Sequence, residues 1–330
     1  MPATRPPVRG PGRLLALALL LACDAPAPQA TPPAAALPAD GPALHVLGSA
    51  QDGGFPHAAC TCARCDGARA HPDRARRVAS VAVVVDRAAW LFDATPDLPH
   101  QLASLAVHTA RPRGAVDRDP LAGVFLTHAH MGHYLGLAHL GFEAAHTRGT
   151  PVHASPRMAA FLAANAPWDQ LVALDNITLR PLRGAPVELG GAVVVTALPV
   201  PHRAEYTDTL GFLVAGPRTT ALYVPDSAPW SAWSPALPDV LAQRGVGVAL
   251  IDGTFYSADE LPGRDITGLA HPLMTESMDL LQPLVDARRV RVIFTHLNHS
   301  NAALDPASPA AAEVARRGFE IAADGLVIPL

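Results

Sequence analysis

The chain has 330 residues, long enough for one large or two small domains, and its 49% hydrophobic and 16% charged content suits a well-buried globular core. The formal net charge is −4 and the pI about 6.4, with no basic block. Non-specific binding to nucleic acid therefore has no electrostatic support.

The first segment reads as a targeting sequence, not as part of the fold. Arg5, Arg9 and Arg13 precede an apolar run, Leu14–Ala22, that is too short to span a bilayer as a helix. The run ends in Leu20-Leu21-Ala22-Cys23, which resembles the lipobox of bacterial lipoproteins. That resemblance implies cleavage before Cys23, a lipid anchor on its sulfur, and an exported protein held at a membrane. Residues 1–22 are then a signal peptide, and 23–43 a Pro/Ala-rich tether without apolar periodicity.

From Leu44 onward, short β-branched runs alternate with helical stretches. Strands are expected at Leu44–Leu47, Ser80–Val85, Ala89–Phe92, Gly123–Leu126 and Pro151–Ala154. A second series is expected at Ile177–Leu182, Ala192–Leu198, Thr209–Ala215, Thr219–Val224, Val248–Asp252 and Val290–Thr295. Helices are expected at Leu98–Thr109, Tyr134–His146, Arg157–Asn165, Pro238–Arg244, Thr275–Ala287 and Pro309–Arg317. This order suggests two stacked sheets with helices on both outer faces. No Gly/Ser-rich linker divides the region, so residues 44–330 are expected to form one domain.

The most informative motif is Thr127-His128-Ala129-His130-Met131-Gly132-His133, behind the apolar run Val124–Leu126. Residues two apart in an extended segment point the same way, so His128 and His130 share a side. His133 falls where the chain turns into the next helix and can reach back. Neutral imidazole is the commonest zinc ligand. With 15 His in 330 residues, partners at both +2 and +5 arise by chance in about 0.2% of cases, so clustering argues for a metal. Three further ligand-type residues follow apolar runs: His202 after Pro199-Val200-Pro201, Asp226 after Pro225, and His296 after Thr295. Loops at the ends of a rigid sheet can bring such residues together.

Cys60, Cys62 and Cys65 are too crowded to make good disulfide partners. Clustered thiols in an exported protein are better explained by a metal that keeps them as thiolates, and three sulfurs leave one ligand to be found.

Taken together, His128-x-His130-x-x-His133, His202, Asp226 and His296 resemble the ordered ligands of the metallo-β-lactamase fold, a four-layer αββα sandwich whose members are mostly metal-dependent hydrolases. The resemblance implies that His128, His130 and His202 hold a first ion, Asp226 bridges, and His133 with His296 holds a second. Zinc is the expected ion, with Fe2+ or Mn2+ as alternatives at this site. One position departs from the family pattern His-x-His-x-Asp-His: Gly132 stands where the Asp should be, and glycine offers no ligand. The second ion would thus be absent, weakly held, or left with more open positions.

Closer similarity is to the pyrroloquinoline quinone biosynthesis protein B group. It is carried by Leu47-Gly48-Ser49, Gly53-Gly54-Phe55-Pro56, Cys60-Thr61-Cys62-Ala63-Arg64-Cys65, Ile251-Asp252-Gly253-Thr254-Phe255 and Ala323-Asp324-Gly325. A related cyclic phosphodiesterase has a similar cysteine run and a fourth structural-zinc ligand three residues past its last active-site His. That resemblance implies His299 as the ligand completing Cys60, Cys62 and Cys65. Asp252 and His271 resemble the proton-transfer pair of the transfer-RNA 3′-end endonucleases, in which an acid orients a His that protonates the leaving oxygen. Asp93 is expected to orient ligand histidines from behind.

The function implied is metal-assisted hydrolysis of a small phosphodiester or ester. Two alternatives remain: an iron-dependent oxidative role like that of the pyrroloquinoline group, or a metal-dependent binding module without catalysis. Trp168, Trp230, Trp233, Tyr206 and Arg203 either line the pocket or pack the loops around it.

Overall fold

The computed structural model of the chain describes residues 41–112, 114–260 and 270–330. The signal peptide, the lipobox with Cys23 and nearly all of the tether lie outside the described residues, as do Gly268 and Leu269.

Fourteen strands are described: β1 Ala43–Gly48, β2 Ser80–Val85, β3 Ala88–Phe92, β4 Gly123–Phe125, β5 Thr150–Ala154, β6 Ile177–Pro181, β7 Val187–Gly190, β8 Val193–Val200, β9 Thr209–Ala215, β10 Thr220–Val224, β11 Val246–Asp252, β12 Arg291–Thr295, β13 Glu320–Ile321 and β14 Val327–Pro329. They form two seven-stranded sheets, in the orders β14-β1-β2-β3-β4-β5-β6 and β13-β12-β11-β10-β9-β8-β7. The described α-helices are α1 Ala63–Ala70, α2 Leu98–Leu105, α3 Met131–Tyr134, α4 Pro156–Ala164, α5 Trp168–Ala173, α6 Leu237–Gln243, α7 Met274–Asp286 and α8 Pro309–Arg316.

The period-two rule explains how one strand serves two layers. On β2, Val81, Val83 and Val85 enter the core between the sheets, while Ala82 and Val84 pack outward. Val248 and Leu250 of β11 likewise face inward, and Ala249 and Ile251 outward. Leu98, Leu105, Met158, Leu162 and Leu171 from α2, α4 and α5 cover the first sheet. Leu237, Leu241, Met274, Met278, Leu281 and Val314 from α6, α7 and α8 cover the second. The result is the expected αββα sandwich. Its central layer is pinned by Phe92, which stacks on Phe125 at 4.8 Å and meets Phe212 edge-on at 5.4 Å. Truncating such a buried ring to Ala costs about 3–5 kcal/mol.

Strand direction then sets where the chemistry gathers. β3 and β4 are parallel, and β1 runs the same way because β2 is antiparallel to both β1 and β3. In the second sheet β10, β11 and β12 are parallel, and β8 shares their direction through two antiparallel pairings with β9. The segments at and just beyond the C-terminal ends of these strands carry the metal-ligand-type residues described below.

One expected helix does not form. Residues 134–146 contain only the end of α3, a 3-10 turn over Leu135–Leu140, and irregular turns. A Cβ at Gly136 would lie 2.0 Å from the Thr95 carbonyl oxygen, so the backbone is pressed against its neighbour there.

Candidate metal centre

β4 ends at Phe125, and Thr127 and His128 follow at the floor of the cleft. Thr127 donates from both its N–H and its hydroxyl to the Asp93 carboxylate, at 2.8 and 3.0 Å. Its hydroxyl oxygen must then accept from His128 Nδ1, 2.9 Å away, which turns the lone pair of His128 Nε2 toward the cleft. The same logic fixes three other rings. His133, on α3, points Nδ1 at Asp93 Oδ2 at 2.8 Å, and a carboxylate only accepts, so Nε2 carries the lone pair. His130 Nε2 faces Glu205 Oε2 at 3.2 Å, which leaves Nδ1 inward. Thr254 donates its hydroxyl to the His296 carbonyl oxygen and accepts from His296 Nδ1 at 3.0 Å. Asp93 thus orients ligand-type histidines from behind, at a left-handed φ of 65°.

The inward atoms converge. His128 Nε2 lies 2.8 Å from His130 Nδ1, and His202 Nε2 lies 3.4 Å from the same atom. Asp226 Oδ2 is 3.3, 3.8 and 3.2 Å from the inward nitrogens of His128, His130 and His202. The same oxygen is 3.9 Å from His133 Nε2. Bonds of about 2.0–2.1 Å at tetrahedral angles put ligand atoms roughly 3.3 Å apart, the range seen here. A second group joins His133 and His296 to a residue that the sequence did not single out. Asp52 Oδ1 sits 3.4 Å from His133 Nε2 and 3.3 Å from His296 Nε2.

Lone pairs and carboxylates facing one another in a buried site are stabilised by positive charge between them, and the residues fit a metal. His133 Nε2 and Asp226 Oδ1 are buried without a hydrogen-bond partner. The electrostatics agree. Burial depresses the His133 pKa, yet the Asp93 and Asp52 carboxylates more than offset it and hold the ring well above the usual imidazole value, so this position attracts a positive charge that a bound ion would supply in place of the proton. Burial, with His133 beside it, keeps His128 well below that value, in the neutral form that ligates metals. Burial also pushes Asp226 up, but His296 and the hydrogen-bonded rings of His128, His130 and His202 hold it well below the ordinary carboxylate range. Asp52 is depressed in the same way, by His133 and His296 against burial.

Asp252, the last residue of β11, accepts from the N–H groups of Ser227 and Thr254 at 3.0 and 2.8 Å. His271 Nδ1 lies 3.0 Å from its Oδ2 and 3.1 Å from Asp226 Oδ1. Burial works against charge on His271, but these two carboxylates raise its pKa to about 10. The pair is thus brought against the metal-ligand cluster, where its ligand atoms group with those of Asp226 and His296.

A second cluster joins the segment after β1, up to the start of α1, to the loop after β12. The Sγ atoms of Cys60, Cys62 and Cys65 are 3.5, 4.0 and 3.7 Å from His299 Nδ1, and none is in a disulfide. Zinc bonds of about 2.3 Å to sulfur and 2.0–2.1 Å to nitrogen give tetrahedral edges near 3.6 Å. Burial pushes the Cys65 thiol up to about 11, so its thiolate needs a cation beside it.

Trp168, Trp230 and Trp233 are buried in packing contacts. Trp168 lies on α5, 4.6 Å from Tyr134, while Trp230 and Trp233 are buried and donate from Nε1 to Ser277 and Ser227. Tyr206 is exposed, and Arg203 pairs with Glu205.

Residues 89–297 match the β-lactamase superfamily domain. The chain belongs to this superfamily. It is 32% identical over 311 residues to a coenzyme PQQ synthesis protein B of Methylobacterium sp. (strain 4-46), across 86% of this chain and 99% of the relative. The crystal structure of Zn(2+)-bound PqqB from Methylobacterium extorquens superposes with a TM-score of 0.74 at 25% identity, over 87% of this chain and 100% of that one. A diphosphatase of the PhnP family shares the fold, with a TM-score of 0.60 at 21% identity over 88% and 97% of the two chains. The superfamily match spans His128 to His296 but leaves out Asp52, the cysteine run and His299. Nothing in the spacing of the sequence ties Asp52 to the histidines; its only local signal is a carboxylate on a glycine-rich loop after a strand.

Proposed function

We propose that the chain is a metal-dependent hydrolase acting on a small phosphodiester- or ester-type substrate. The observation that carries this reading is the convergence of His128, His130, His202 and Asp226 ligand atoms within 4.8 Å of one another, beside the Asp252–His271 pair. A divalent ion, zinc in the first instance and Fe2+ or Mn2+ otherwise, supplies Lewis acidity and acidifies water when bound. The chain's own residues do the rest. Asp252, fixed by two backbone N–H groups, holds His271 by Nδ1 and sets the direction of its ring. His271 then delivers a proton to the leaving oxygen. Thr127, Asp93, Glu205 and Thr254 keep the rings of His128, His133, His130 and His296 from turning away. Cys60, Cys62, Cys65 and His299 form a closed structural zinc site that takes no part in turnover. We further propose that the protein is exported and lipid-anchored through Cys23, a reading supported by Leu20-Leu21-Ala22-Cys23 alone.

A second reading has its own support, since the relative at 32% identity is named for coenzyme PQQ synthesis. It assigns the same centre to iron and to oxidation of a phenolic precursor. One experiment separates the two. Zinc-loaded protein is assayed on bis(p-nitrophenyl) phosphate and p-nitrophenyl esters, and Fe2+-loaded protein for oxygen uptake with phenolic substrates. Hydrolysis that disappears in His130→Ala supports the first reading. Oxygen uptake without hydrolysis supports the second, and full metal occupancy with neither activity sinks both.

A further inference from the structure

We propose that Asp52 is the carboxylate ligand of the second metal position, supplied from the loop after β1 in place of the missing aspartate at position 132. The inference rests on the metal-centre reading above and completes it.

The superfamily pattern places this carboxylate on the segment after β4, between two of the histidines, and there the chain has Gly132. Gly132 lies in α3 and is not among the glycines at positive φ, so its backbone conformation is one that any residue adopts. What the glycine provides is room. A Cβ built on it would lie 2.4 Å from Asp52 Oδ1 and 2.7 Å from Asp52 Cγ. The volume that a side chain at 132 would enter is the one that the Asp52 carboxylate fills. The two residues exclude one another, and the chain carries the carboxylate on one side of the gap only.

The carboxylate is aimed. Its Oδ1 is equidistant, within 0.1 Å, from His133 Nε2 (3.4 Å) and His296 Nε2 (3.3 Å), the inward atoms of the two histidines outside the His128, His130 and His202 group. Among the described residues, its ion-pair partners are these two rings, with no Lys or Arg. The loop that carries it is fastened to the second sheet, since Gln51 N–H donates to the Leu297 carbonyl at 2.9 Å and Ala50 bridges Leu297. It is closed on itself by Gly54 N–H to the Gln51 carbonyl at 2.7 Å. Asp226 Oδ2, 3.9 Å from His133 Nε2, stands between this group and the first. The centre then consists of one group of four, His128, His130, His202 and Asp226, and one group of three, Asp52, His133 and His296.

The test counts metal, not turnover. The full chain and its variants are loaded with zinc chloride, passed through metal-free buffer, and measured by mass spectrometry for zinc per chain. The full chain is expected to hold three zinc ions, one of them on the cysteine cluster. Asp52→Ala, Asp52→Asn and Gly132→Ala are each expected to hold two, the last because its new methyl group displaces the carboxylate. Retention of the cysteine-cluster zinc and an unchanged far-ultraviolet circular dichroism spectrum report that a variant has folded. Three zinc ions in Asp52→Ala or Gly132→Ala, or only two in the unaltered chain, would overturn the assignment of Asp52 while leaving the first position intact; fewer than two in Asp52→Ala would overturn it by showing that Asp52 does not serve the second position alone. A single zinc in the unaltered chain would instead remove the metal-centre reading itself.

Discussion

His133 Nδ1 and Asp93 Oδ2 are 2.8 Å apart, and both side chains are sealed from solvent. The contact decides which nitrogen of His133 faces the cleft, and through Thr127 the same carboxylate decides it for His128. Asp93→Asn keeps the shape but adds N–H donors where acceptors are needed. Zinc affinity of the active-site cluster is expected to drop roughly 10–100-fold, the usual effect of losing a partner behind a ligand. Competition with a calibrated chelator measures this, and an unchanged affinity would show that Asp93 only packs.

Asp252 and His271 act as one unit in the proposed reaction. His271→Gln and Asp252→Asn should each lower kcat by about 10²–10⁴-fold, with the double variant little worse than either. Zinc content should stay at the unaltered value. If His271→Gln loses a zinc ion instead, the ring is a ligand and not a proton carrier.

The cysteine cluster predicts a separate loss. His299→Ala should remove one zinc per chain, leave the active-site ions, and lower the melting temperature by roughly 5–10 °C, a few kcal/mol in a domain of this size. An unchanged zinc count in His299→Ala would remove His299 from the set.

Acid sensitivity is expected from a site remote from the cleft. Burial and the adjacent His108, 4.5 Å away ring to ring, lower the His45 pKa to about 4. The unfolded chain takes up this proton near pH 6.5, the folded chain only near pH 4. The contribution to stability is therefore complete above pH 6.5 and is lost as pH falls through that window. Between pH 7 and pH 5 the loss is on the order of 2 kcal/mol. Urea unfolding at both pH values checks this, and His45→Gln should flatten the dependence.

Much of this could be read from the chain. Ser80–Val85 and Thr209–Ala215 were expected with their observed ends, because strands covered on both faces leave continuous apolar runs. β7, β13 and β14 are two to four residues long, too short for alternation to register. α1 escaped notice because it buries only Cys65 and Ala68 and has no apolar stripe. The histidines announced themselves by spacing. Asp52 did not, since its relation to His133 and His296 exists only after two loops from different sheets have met.

That meeting has a mechanical side. Asp52, His128, His130, His133 and the three cysteines leave strands of one sheet, whereas His202, Asp226, His296 and His299 leave strands of the other. Any ion in either cluster is a rivet through both halves of the protein. Severing the backbone between β6 and β7 should yield fragments that retain no zinc alone and regain it on mixing, so that assembly of the two halves can be followed by metal uptake.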